Sequence, residues 1–130
     1  MLFQTTKEIG DWGEKHAVHY LRLRGYTVKE RNWRYGKGEI DIIASTLREI
    51  VFVEVKTRSY DPDSVETAPP PGNAVRVDKK RMTRQTAMAY LHQHPTRRQP
   101  RMDVIEIWIS KESDAKKPKV LKLNHIKGAY

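Results

Sequence analysis

The sequence predicts an α/β fold, a mixed β-sheet of four to five strands flanked by helices. Three observations carry this. Residues 40–44 and 50–55 are two apolar runs rich in β-branched and aromatic residues, joined by a short polar turn, as expected of paired strands. A segment on either side of them has helical apolar spacing: Ile9, Gly13, Ala17, Tyr20 and Leu21 before, and Thr83, Ala87, Tyr90 and Leu91 after. The chain has 130 residues, 38% of them hydrophobic, which suits one modest core and a single domain over residues 1–130.

The first helix starts at Thr5 or Thr6, either of which can cap it, and runs to about Arg24, with Gly25 as its stop. Glu14 lies at the border of its apolar stripe and faces the body of the protein. It suits a third acidic ligand of a metal or a group anchoring one. It equally suits a boundary glutamate paired with a nearby Lys or Arg. Residues 26–32 form a short strand. The following loop carries Trp33 and Tyr35 between the basic residues Arg31, Arg34 and Lys37, and Gly36 and Gly38 loosen it. Such a loop reads as a phosphate-and-base contact surface or as a solvated loop whose aromatics pack on the core.

The central hairpin holds charges where the runs are otherwise apolar. Glu39, Asp41 and Ile43 share one face of the first strand by alternation, and Phe52, Glu54 and Lys56 share one face of the second. A turn centred between Leu47 and Arg48 would set Asp41 opposite Glu54, with Cβ atoms about 5 Å apart and Lys56 one diagonal step away. Two carboxylates at that separation repel unless one is protonated or a cation lies between them. A hard divalent cation such as Mg²⁺ answers that repulsion. A neighbouring lysine can orient or deprotonate water, or stabilise developing phosphate charge. The bland alternative is a surface hairpin with ordinary cross-strand ion pairs.

Residues 59–77 form a long polar loop with three consecutive prolines, expected to be mobile and to lie near the site. Its acids, Asp61, Asp63 and Glu66, read as solvated. Asp78 caps a second helix to about His92. Lys79, Lys80, Arg81 and Arg84 crowd its first turns, against the helix dipole, which suits phosphate contact or a plain basic face. Residues 95–101 form a basic turn, 102–109 a strand and 120–123 a final edge strand. The order is α-β-β-β-α-β-β.

Lys and Arg number 25 against 16 Asp and Glu, a net charge of +9 with pI near 9.9. That balance favours a polyanionic partner, most simply nucleic acid, over a small neutral metabolite. No stretch approaches the roughly 20 apolar residues of a membrane span, and no signal peptide is visible. The absence of cysteine excludes disulfides and thiolate chemistry and suits a cytoplasmic protein.

Asp41 followed by Glu54-Val55-Lys56 resembles the D…(D/E)xK signature of the PD-(D/E)XK nuclease superfamily, with Ile40 where the family's proline would stand. The surrounding segments are more specific: GDWGE at 10–14, YLRLRGY at 20–26, RNWR at 31–34, GEIDIIA at 38–44, VFVEVKTR at 51–58 and MDVIEI at 102–107. Together they resemble the YraN-type family of small bacterial proteins, which is similar in turn to archaeal Holliday junction resolvases. The resemblance implies a restriction-endonuclease-like sheet. It implies that Asp41 and Glu54 hold Mg²⁺ or Mn²⁺, that Glu14 completes the acidic cluster and that Lys56 positions or activates water. Glu39 would be a supporting acid. Arg31, Arg34, Lys37, Arg58, Lys80, Arg81 and Arg84 are the expected nucleic-acid contacts. The implied function is a metal-dependent nuclease hydrolysing DNA phosphodiester bonds, structure-selective if resolvase-like; symmetric junction cutting would require a homodimer. The alternatives are a non-catalytic nucleic-acid-binding protein on a nuclease fold and a structural partner of an RNA particle.

Overall fold

A computed structural model describes residues 6–60, 77–110 and 118–130. The elements follow the expected order: α1 (Thr6–Leu23), β1 (Thr27–Tyr35), β2 (Gly38–Ser45), β3 (Glu49–Tyr60), α2 (Val77–Gln93), β4 (Gln99–Ser110) and β5 (Val120–Ile126). The five strands make one mixed sheet in sequence order. β1, β2 and β3 form an antiparallel meander, β4 runs parallel to β3, and β5 returns antiparallel along β4. This is the restriction-endonuclease-like arrangement expected from the sequence. The parallel β3–β4 step requires a crossover, and α2 supplies it.

Each helix covers one face of the sheet. Ala17, Val18 and Leu21 of α1 pack on Ile42, Ala44, Val51, Val53, Ile105 and Ile107. Ala87 and Tyr90 of α2 pack on Ile40, Ile43, Ile50 and Phe52. Both faces are therefore covered, which is why β2 and β3 read as continuous apolar runs rather than alternating ones. α1 stops as the sequence predicts. Gly25 takes φ +89°, and the amides of Gly25 and Tyr26 close back on the carbonyls of Arg22 and Leu21, a Schellman stop.

Gly13 is where α1 meets β3. A Cβ added there would overlap Thr57 Oγ1, so the absent side chain sets how closely the helix lies on the strand. Gly13→Ala is expected to cost about 1–3 kcal/mol by overpacking. The Thr57 hydroxyl is buried without a hydrogen-bond partner among the described residues, so it can be removed cheaply. The double variant Gly13→Ala/Thr57→Ala should recover most of the loss in urea unfolding. A double variant as unstable as Gly13→Ala alone would place the strain elsewhere.

The structure corrects several sequence boundaries. β1 does not end at Asn32; it continues through Trp33 and Tyr35 to a two-residue turn, Gly36-Lys37, in which Gly36 has φ +58°. β2, β3, β4 and β5 are all longer than the apolar runs alone suggest. β4 takes up the end of the expected basic turn, because its first residues pair with the start of β3. Asp78 is not the residue before α2 but lies in its first turn, where its carboxylate accepts the Lys79 amide at 3.0 Å. The loop expected at 59–77 loses Ser59 and Tyr60 to β3 and Val77 to α2. Its remainder, with Asp61, Asp63 and Glu66, lies outside the described residues. No helix among the described residues is long and apolar enough to cross a membrane.

Candidate active site

β2 and β3 pair with Ile42 opposite Val53 and Ile43 opposite Phe52, the register that a turn at Leu47-Arg48 predicts. One further step would set Asp41 opposite Glu54. The ladder stops there instead, and Asp41 Oδ2 accepts the Val55 amide at 2.8 Å. A side chain thus replaces a backbone partner, and the strands part at this point. Strict alternation fails at the same residue: Ile40 and Ile43 both pack under α2, while Ile42 and Ala44 pack under α1. Glu39 and Asp41 nevertheless line one cleft with Glu54 on the α2 side, where Ile43 also packs, as alternation expects. The irregularity has a counterpart in β1, where Asn32, the residue facing Asp41 in the register, adopts φ +52°. Asparagine tolerates that conformation better than most residues.

The two carboxyls interact strongly. Burial, the charge of Glu54 and that of Glu14 push Asp41 up to about 8, against the opposing hydrogen bond from Val55. Glu54 is 4% exposed, and two lysines converge on it. Lys56 Nζ, from the same strand, is 3.4 Å from Glu54 Oε1, and Lys79 Nζ, from the first turn of α2, is 2.6 Å from the same oxygen. Lys79 is raised: burial acts to lower it, but its hydrogen bond and ion pair with Glu54 prevail.

Glu14 approaches from α1. It is raised, mainly by burial, against a hydrogen bond from the Asn32 side chain and the charge of Arg31. Arg31 Nη2 lies 3.9 Å from Glu14 Oε1. Glu14 is thus paired with an arginine, as one of its two sequence readings expects, and its charge also raises Asp41. Among the described residues no three His, Asp or Glu side chains close on one point as a ready-made metal cage. The donor set nonetheless suits a hard cation. Asp41 and Glu54 are oxygen donors under mutual repulsion, and a lysine ammonium already stands on one of them.

A cleft of about 350 Å³ opens over this pair, lined by Lys37, Glu39, Asp41, Glu54, Lys79 and Thr83 among others. The expected basic contacts are spread around it unevenly. Lys37 reaches the cleft itself. Arg34 is exposed and bonds Glu39 at 2.5 Å. Arg58 donates to the buried carboxylate of Glu106 at 2.6 Å. Lys80 and Arg84 lie over the Tyr130 ring, 5.6 and 5.7 Å from its centroid, and Arg81 is exposed on α2. Lys79 is the residue that sequence reasoning missed as a member of the site. Its only signal is its place at the start of a helix whose first turns are too basic for the dipole.

The family model of "Uncharacterised protein family UPF0102" matches residues 13–107, which include every acid and lysine of the cleft. A UPF0102 protein of Caldanaerobacter subterraneus subsp. tengcongensis is 38% identical over 125 residues, 95% of each chain. A UPF0102 protein of Alkaliphilus oremlandii is 38% identical over 127 residues, 95% of this chain and 98% of its own. One from Clostridioides difficile is 37% identical over 125 residues, 95% of this chain and 97% of its own. The resemblance read from the sequence segments is therefore borne out, and the chain belongs to the UPF0102 (YraN-type) family.

Proposed function

We propose that the protein is a metal-dependent nuclease that hydrolyses DNA phosphodiester bonds. The observation that carries this reading is the meeting of Asp41 and Glu54 where β2 and β3 part, with Lys56 Nζ 3.4 Å from Glu54 and a cleft rimmed by Lys37 and Lys79 over the two acids. Asp41 and Glu54 would hold Mg²⁺ or Mn²⁺, with Glu14 behind them. Bound there, the ion would supply Lewis-acid polarisation of the phosphate and charge neutralisation at the leaving oxygen. Lys56 orients the attacking water and stabilises the charge that builds on the phosphate. Lys37 and Lys79 meet the backbone, and the +9 net charge draws the polyanion in. The parting of the strands matters because it leaves a cleft over the two acids without breaking the cores on either face.

A second reading, a nucleic-acid-binding protein that does not cut, draws on Lys79. Its ammonium already neutralises Glu54, so the acid pair can persist without a metal. One experiment separates them. Labelled duplex, single strand, flap and four-way junction are incubated with Mn²⁺, Mg²⁺ or EDTA, alongside Glu54→Ala. Cleavage that needs metal and vanishes in the variant is the expected result. A preference for the junction would mark the activity as resolvase-like and predicts a homodimer. Tight, salt-sensitive binding with no cleavage under any metal would sink the nuclease reading in favour of the second.

A further inference from the structure

A second concavity adjoins the acidic cleft. It measures about 330 Å³, within the range of small-ligand pockets, and lies between the β1–β2 turn and the outer side of α2. Tyr35, Gly36 and Lys37 form one wall, and Met82, Gln85 and Thr86 the other. Lys37 and Met82 line both this pocket and the acidic cleft, so the two are continuous.

Its aromatic wall is held rigidly. Tyr90 is buried in the core beneath α2, and Trp33 meets it edge to face at 5.1 Å. Tyr35 lies parallel to Trp33, with centroids 6.3 Å apart and planes 6° from each other. Tyr35 is nevertheless 55% exposed, and Met82 across the pocket is 43% exposed. A large ring held by a stack on one side and open on the other offers its free face to a flat partner. The turn beneath it is also fixed. Gly36 supplies its left-handed residue, and a Cβ at Gly38 would overlap Thr86 Oγ1, so β2 starts in close contact with α2.

We propose that this pocket takes one unpaired nucleobase, stacked between Tyr35 and Met82, while Lys37 holds the adjoining phosphate toward the acidic cleft. The inference rests on the nucleic-acid reading above and names its substrate class: DNA with an unpaired or splayed nucleotide beside the phosphate in the cleft. A base within continuous duplex is covered on both faces and cannot enter, whereas one in a single strand, flap or branch can. Base-on-aromatic stacking is tolerant of sequence, so the pocket selects structure rather than sequence.

The test is equilibrium binding in EDTA, where no metal-dependent cleavage interferes. A fluorescent single-stranded oligonucleotide is compared with an abasic strand of equal length, which has the same phosphates and no bases. The wild type should bind the base-containing strand about tenfold more tightly, the scale of one stacked base. Tyr35→Ala should bring that ratio close to one, Tyr35→Phe should keep it, and Lys37→Ala should weaken both strands alike. Met82→Ala, on the opposite wall, should reduce the ratio without touching β1, which guards against a folding defect in Tyr35→Ala. Equal binding of the two strands by wild type, or a ratio that survives Tyr35→Ala, overturns the proposal. Equal binding of the two strands by wild type alongside intact metal-dependent cleavage would remove the pocket and leave the nuclease. A Tyr35-dependent ratio without cleavage would keep the pocket in a protein that binds and does not cut.

Discussion

Asp41→Asn should abolish metal-dependent cleavage and, in the same protein, make the metal-free fold more stable. Losing one of the two carboxylates proposed to hold the metal is expected to reduce the rate by about two to three orders of magnitude, as when a preorganised charge-stabilising group is removed. The stability gain follows from the carboxyl's displaced titration. Its ordinary value is 3.8, and the fold holds it up at about 8. Between those limits the folded chain keeps a proton that the unfolded chain has released, so folding weakens as pH rises through that window. Each pH unit there costs at most about 1.4 kcal/mol. An asparagine has no proton to lose, and its side-chain oxygen can still accept the Val55 amide. The variant should therefore gain about 2 kcal/mol over wild type at pH 8 in EDTA and much less at pH 5. Mn²⁺ should raise the melting temperature of wild type at pH 8 and leave the variant almost unmoved. Urea unfolding at both pH values reads the first effect, and thermal melting with and without Mn²⁺ the second. A variant less stable than wild type at pH 8 would show that the acid pair is not repulsive in the free protein.

Much of this site can be read in the sequence because its strands are covered on both faces. Charges within continuous apolar runs stand out, and a short polar turn at Leu47-Arg48 leaves few registers to choose from. The resulting juxtaposition of Asp41 and Glu54 needs only local geometry. What escapes the sequence depends on distant partners. Lys79 reaches Glu54 only because α2, the crossover from β3 to β4, begins beside the acidic cleft. The left-handed Asn32 serves Glu14, 18 positions earlier, and no local pattern foretells it. The extension of β1 was accessible. Trp33, Arg34 and Tyr35 alternate as a strand should, and Gly36-Lys37 is an ordinary two-residue hairpin turn. Asp103 was also within reach, since a charge on the same strand face as Ile105, Ile107 and Ile109 must be buried and must have partners.

Those partners make Asp103→Ala the most damaging single change for stability. Asp103 is fully buried on the α1 side of the sheet, whereas Glu54 reaches the cleft on the α2 side. It accepts hydrogen bonds from Arg101 Nε at 2.8 Å, Arg101 Nη2 at 2.9 Å, His125 Nε2 at 2.6 Å and the Gly128 amide at 3.0 Å. Arg101 also donates to Glu49 and to the Tyr26 hydroxyl, each at 2.7 Å, and the Tyr20 hydroxyl lies 3.1 Å from His125 Nδ1. One carboxylate thus ties together α1, the start of β1, β3, β4, β5 and the turn after it. Burial alone would raise Asp103, but the bonds from His125, Arg101 and Gly128 hold it below its ordinary value. Truncation would leave a guanidinium and an imidazole short of their partner, at a cost of about 3–5 kcal/mol near neutral pH. A depressed carboxyl stabilises the fold above its unfolded value and loses that contribution as pH falls through its folded one. The gap between wild type and Asp103→Ala should accordingly be widest at pH 6–7 and narrow below about pH 4. Adding Arg101→Leu to Asp103→Ala should recover part of the loss, because the stranded cation goes with its partner. Urea unfolding of the three proteins at pH 7 and pH 3.5 measures both terms. A loss that stays constant with pH would mean that packing, rather than the charge of Asp103, holds this corner of the fold.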